Sequence, residues 1–140
     1  MKLTSTTATA MVLVLAASQM AQAGDTLRLL TWGGYAPEEV IALFEAESGH
    51  SVEVTLSNNE EMIAKLRATA GGGFDLAQPS QDRIAGPQAE FGIYKPMDLT
   101  QIDASQFITS MLEATKTNTT VDGEIYGVPH VWGTSGLVLD

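Results

Sequence analysis

The stretch Leu27-Arg28-Leu29-Leu30-Thr31-Trp32-Gly33-Gly34-Tyr35-Ala36-Pro37 constrains this chain more than any other. Leu27 to Leu30 is an apolar run of the length and type of a buried strand. Pro37-Glu38-Glu39 reads as the opening of a helix, because proline is pre-set for the first turn and carboxylates suit the positive end of the helix dipole. Two glycines between them allow a sharp turn and leave Trp32 and Tyr35 at the C-terminal end of the strand. In open α/β sheets ligands bind at that end. The other reading of the same residues is a plain strand-to-helix turn with two core aromatics.

Two further features bound the answer. Met1-Lys2 gives a positive start, 10–17 is a short apolar core, and Ala21-Gln22-Ala23 is a small-x-small cleavage site. This predicts a secretory signal peptide over 1–23, with the mature chain starting at Gly24. The apolar run falls short of the roughly 20 residues a membrane span needs. The 140 residues leave room for at most one ordinary domain, placed at 24–140. There is no cysteine, hence no disulfide framework, thiolate metal site or lipid-anchoring thiol. A freely soluble exported protein of the bacterial periplasm is expected. The formal charge of −10 becomes −11 once Lys2 leaves with the leader. Such acidity argues against nucleic acid as a partner. It suits a cationic ligand or simple solubility.

Taken in order, 37–48 is a helix candidate with Ala36, Val40, Ile41 and Phe44 on its apolar face, stopped by Gly49. Ser51 to Leu56 alternates like a strand, so a strand–helix–strand unit with parallel pairing and a right-handed crossover is expected. Asn58, three residues before Glu61, resembles a capping box for a helix whose face is Met62, Ile63, Leu66 and Ala70. Gly71-Gly72-Gly73 ends that helix; it lacks the Lys-Ser/Thr of a phosphate loop. The segment 74–79 is a third strand candidate, running into Ser80-Gln81-Asp82. A short helix over 83–91, interrupted near Gly86-Pro87, follows. A helix over 104–114 is capped by Asp103 or a neighbour, with Phe107, Ile108, Met111 and Leu112 buried. Asp122-Gly123 between β-type residues predicts a hairpin. Leu137-Val138-Leu139 reads as a central strand cut at its end.

Catalytic chemistry is not visible. His50 and His130 are the only histidines and have no zinc-type spacing. No nucleophile elbow or Ser/His/Asp arrangement occurs. No catalytic residue, metal or cofactor is assigned, and the protein is not expected to be an enzyme.

The order of motifs carries a resemblance. Leu-Leu-Thr-Trp-x-x-Tyr, Ser-Gly-His-Ser-Val-Glu-Val, Ser-Asn-Asn-Glu-Glu-Met-Ile-Ala-Lys-Leu, Gly-Gly-Phe-Asp-Leu, Pro-Ser and Tyr-Gly-Val-Pro-x-x-Trp-Gly-Thr-x-Gly-Leu follow one another from Leu27 to Asp140. This set resembles the spermidine/putrescine-binding proteins of ABC transporters. The resemblance implies an α/β, periplasmic-binding-protein-like (type II) two-lobed fold, with ligand held in the cleft between lobes. This chain would supply most of the first part of the N-terminal lobe, the second lobe being absent. It also implies a membrane permease of the ABC importer as partner. In polyamine binders a Ser or Thr and then an acidic residue usually stand where this chain has Gly33 and Gly34, and a Tyr usually follows the Pro-Ser segment where Asp82 stands here. The ligand is therefore open among a polyamine, another small amine and a non-polyamine polar solute, and a truncated non-binding fragment is a further reading.

The ligand-binding residues carried over are Trp32, Tyr35, Ser80 and Trp132, with Asp82 added. Aromatic faces hold an alkylammonium at ~0.5–2 kcal/mol each, and a carboxylate fixes it by a charge-assisted hydrogen bond. Trp32, Tyr35 and Trp132 would be walls; Ser80 and Asp82 would be polar ends. Trp132 is alternatively core beneath the last strand, and Asp82 alternatively a helix cap.

Overall fold

The computed structural model describes residues 25–133. The expected leader and the strand expected at Leu137 to Leu139 lie outside the described residues. Strand β1 (Thr26–Thr31), helix α1 (Glu38–Ser48) and strand β2 (Ser51–Leu56) form the anticipated strand–helix–strand unit. The strands pair in parallel from Thr26↔Ser51 to Thr31↔Leu56. Pro37 differs from expectation by one position. It is the extended N-cap, and its carbonyl accepts the amides of Val40 and Ile41 at 3.0 and 3.1 Å. Gly49 closes the helix in the left-handed region, φ 74°.

Helix α2 (Asn59–Ala68) is capped by Asn58, whose side chain accepts the Glu61 amide at 3.1 Å. The reciprocal half of the capping box is missing, since the Glu61 carboxylate instead accepts from Ser57 Oγ at 3.3 Å. The helix stops short of Ala70, which has φ 49° and leads into Gly71 at φ 80°. Strand β3 (Leu76–Ala77) pairs with β1, giving the sheet order β2-β1-β3. It is shorter than the segment 74–79. The amides of Asp75 and Gln78 still bond the carbonyls of Arg28 and Leu30, each at 2.9 Å, but Pro79 has no amide to extend the ladder.

A 3₁₀ turn (Gln81–Arg83) leads into α3 (Ala85–Phe91). No interruption occurs at Gly86-Pro87, because the proline falls in the first turn, where no intrahelical donor is required. The helix expected over 104–114 is displaced. Asp103 caps a separate 3₁₀ turn (Ala104–Gln106) by accepting the Ser105 amide at 3.0 Å. The chain then extends through Phe107 and Ile108 before α4 (Thr109–Thr119) begins. Leu112, Thr115 and Thr119 of α4 are buried, whereas Ile108 is exposed. The hairpin is present as β4 (Thr120–Val121) and β5 (Glu124–Ile125), antiparallel, with Asp122 at φ 51° and Gly123 at φ 87°. Positive φ at both central residues is the turn that Asp-Gly favours.

The two crossovers run in opposite directions across the sheet, so right-handed connections place α1 and α2 on opposite faces. On the α2 face Leu30, Met62, Leu66 and Ile93 are the buried core, with Trp32, Ile63, Phe74 and Phe91 against it. On the other face α1 has no buried residue, contrary to the apolar face expected for it. Val40 is 57% and Phe44 41% exposed. The reason is the narrow sheet: β2 is an edge strand, β3 contributes two residues, and no other described element covers α1.

Candidate functional site

With the order β2-β1-β3, the connections leaving the C-terminal ends of β1 and β3 diverge. That divergence is a topological switch point, where open parallel sheets form ligand crevices. The residues at those ends are Trp32 to Tyr35 after β1 and Gln78 to Asp82 after β3. Sequence therefore delivers four of its five candidates to two adjacent strand ends.

Backbone and side-chain hydrogen bonds fix this edge. The Thr31 carbonyl accepts the Ser57 amide at 2.8 Å. The fully buried Thr31 hydroxyl donates to the Gln78 side-chain carbonyl. Asn59, at the start of α2, holds Ser80 at two points: its Oδ1 accepts the Ser80 amide at 2.9 Å, and its Nδ2 donates to Ser80 Oγ at 3.1 Å.

Each candidate now has a setting. Trp32 is half-buried and packs against the Leu30 cluster, so it is part core and part edge. Gly34, at φ 81°, turns the chain, and Tyr35 emerges 42% exposed. The Tyr35 carbonyl accepts from His130 Nε2 at 3.2 Å, with the two rings tilted and 6.4 Å apart. Trp132, two residues further, is 65% exposed and is not core. Asp82 is not a helix cap: it lies inside the 3₁₀ turn, whose N-cap is Ser80. Its carboxylate lies 3.7 Å from Arg83 Nε, and Arg83 Nη2 lies 3.2 Å from Glu60. Arg83 thus stands between the Asp82 and Glu60 carboxylates.

Asn59, Gln78 and Arg83 carry no binding signal in the sequence itself. Asn59 is adjacent to the cap residue Asn58 and is indistinguishable from it until the fold sets Ser80 opposite. The carboxyls of Asp98 and Asp103 are held below the usual range by hydrogen bonds from Thr100 and Ser105 respectively. Burial pushes the Tyr94 hydroxyl up to about 12. A shallow groove of about 660 Å³ lined by Ala64, Arg67, Phe91 and Ile93 lies at the C-terminal end of α2. Because α2 runs back toward the start of β3, that groove is at the opposite end of the sheet from the switch point. Among the described residues no group of three His, Asp or Glu is placed to hold a metal.

No protein-family model matches the chain. Spermidine/putrescine-binding periplasmic protein 1 of Haemophilus influenzae is 31% identical over 127 residues, covering 89% of this chain and 34% of that protein. Putrescine-binding periplasmic protein SpuD of Pseudomonas aeruginosa is 25% identical, over 98% of this chain and 37% of that protein. Among solved structures, the spermidine/putrescine ABC transporter substrate-binding protein PotD of Streptococcus pneumoniae superposes with TM-score 0.52 and 26% identity, over 59% of this chain and 25% of that one. The chain spans about a third of the length of the curated relatives it matches. Its relatives are thus polyamine-binding periplasmic proteins, as the ordered motifs implied. Its parallel α/β sheet corresponds to part of the type II substrate-binding fold. These relatives are solute-binding transport proteins and not enzymes. Among the described residues no helix is long and apolar enough to cross a membrane.

Proposed function

We propose that this chain contributes the first part of the N-terminal lobe of a periplasmic solute-binding protein of an ABC importer, taking a polyamine or related small amine. Residues 1–23 are the exported leader and 24–140 the lobe segment in this reading. The observation that carries it is the placement of Trp32, Tyr35 and Ser80 at the ends of adjacent parallel strands on the two sides of the switch point. Closure of two lobes on the ligand would shift a hinge equilibrium through contacts made only when closed. The closed form would dock on an inner-membrane permease.

A non-amine polar solute is the second reading. It is favoured by Arg83, which already engages Asp82 and Glu60, and by Gly33 and Gly34, which offer no side-chain contact. The test is thermal melting and calorimetry of the exported protein, with any coding sequence that continues past Asp140, against spermidine, putrescine, other amines and neutral polyols. Stabilisation by an amine supports the first reading. Stabilisation by polyols alone supports the second. No response to any solute overturns both. N-terminal sequencing of the exported protein should begin at Gly24.

A further inference from the structure

The two-point contact between Asn59 and Ser80 dictates more than position. The Ser80 amide can only donate, so the atom facing it at 2.9 Å must be the Asn59 carbonyl oxygen. The Asn59 NH₂ then necessarily faces Ser80 Oγ, at 3.1 Å, and an NH₂ can only donate. The serine oxygen is therefore the acceptor of that bond, and its own proton is directed elsewhere. Ser80 is exposed and precedes the 3₁₀ turn at the end of β3, so the proton is free to face the cleft edge. The amide orientation follows from the chemistry of the backbone donor, not from a choice between two equivalent flips.

We infer that Asn59 is a specificity-determining residue that fixes Ser80 as a hydrogen-bond donor toward the ligand. The ligand end at β3 then carries a hydrogen-bond-accepting oxygen, such as a hydroxyl or carbonyl, in preference to an ammonium. An ammonium has only protons to offer; it must compete for the one lone pair Asn59 leaves. An amino alcohol fits both ends of the site: its ammonium goes to the aromatic side at Trp32 and Tyr35, and its hydroxyl to Ser80. The inference rests on the solute-binding reading and names the ligand class within it.

Asn59→Asp reverses the local polarity with almost no change of shape. An aspartate can only accept, so it keeps the Ser80 amide but forces the hydroxyl to donate toward it, leaving oxygen lone pairs for the ligand. The experiment measures calorimetric affinities of the whole protein for putrescine and for the amino alcohol of the same chain length. Wild type is expected to prefer the amino alcohol. Asn59→Asp should shift the preference about tenfold toward putrescine, the scale of one charge-assisted hydrogen bond. In a Ser80→Ala background the shift should vanish. A shift of equal size without the serine hydroxyl would mean the new charge acts directly, and would overturn the inference. So would a wild type that prefers putrescine. Should Asn59→Asp not fold, Ser80→Ala alone decides: it must weaken the amino alcohol several-fold more than it weakens putrescine, and an equal loss for both overturns the inference. If neither wild type nor variants respond to any solute, the solute-binding reading itself has failed, an outcome distinct from an unshifted preference.

Discussion

The Nε2 of His130 lies 3.2 Å from the main-chain carbonyl oxygen of Tyr35, tying the segment that bears Trp132 to the turn after β1. A carbonyl can only accept, so Nε2 carries the proton. His130→Ala removes one exposed hydrogen bond, with a cost of about 1 kcal/mol. Hydrogen exchange should speed up at 128–133 and little elsewhere. Unchanged exchange in that segment would count against the tie.

The two tryptophans should separate stability from binding. Trp32 packs on the Leu30 cluster, so Trp32→Ala is expected to cost about 2 kcal/mol in a denaturant melt and to lower affinity as well. Trp132 is 65% exposed. Trp132→Ala should leave the melt within about 0.5 kcal/mol while weakening an amine ligand by ~0.5–2 kcal/mol, the range of one cation–π contact. A large loss of stability in Trp132→Ala would show that the residue is packed.

Gly71 and Gly34 share positive φ, 80° and 81°, but not surroundings. A Cβ on Gly71 would sit 2.5 Å from the carbonyl oxygen of Ile93, whereas nothing lies within 4 Å of one on Gly34. Gly34→Ala carries only the left-handed backbone penalty, about 1 kcal/mol. Gly71→Ala adds a backbone clash and should cost more than about 2 kcal/mol. Equal melting temperatures for the two variants would refute this ordering.

Burial raises the Tyr94 hydroxyl from 10.0 to about 12. The folded-state value lies above the unfolded one, so its contribution to stability is complete below pH 10 and is lost as pH rises toward 12. Absorbance titration should show one late-ionising tyrosine, absent in Tyr94→Phe. Asp98 and Asp103 have the opposite sign. Their lowered values favour folding above the ordinary aspartate range, and that contribution disappears as pH falls through their folded-state values.

Much of the chain was legible because its local signals agree with its fold. The apolar run at Leu29 and Leu30, Asn58 as a cap, Gly49 as a stop and Asp122-Gly123 as a turn each act within a few residues. What sequence could not convey depends on neighbours brought from afar. Val40 and Phe44 have the spacing of a buried face, yet burial requires a partner that the narrow sheet does not supply. Asp103 looks like the cap of a long helix until Ser105 closes a local turn on it. At the candidate site Trp32 and Tyr35 were readable from the turn that carries them. Asn59 and Arg83 acquire meaning only when β3 brings Ser80 and Asp82 beside the start of α2.

The place of β1 also sets a timetable. The first described strand to leave the ribosome is the middle one, and the segments that flank it are made later, on either side. Leu29 meets Val54 on one edge and Leu76 on the other. Until both have emerged, β1 has no finished place to go. A chain built from the centre outward completes its sheet late, because pairings distant in sequence must wait for both partners.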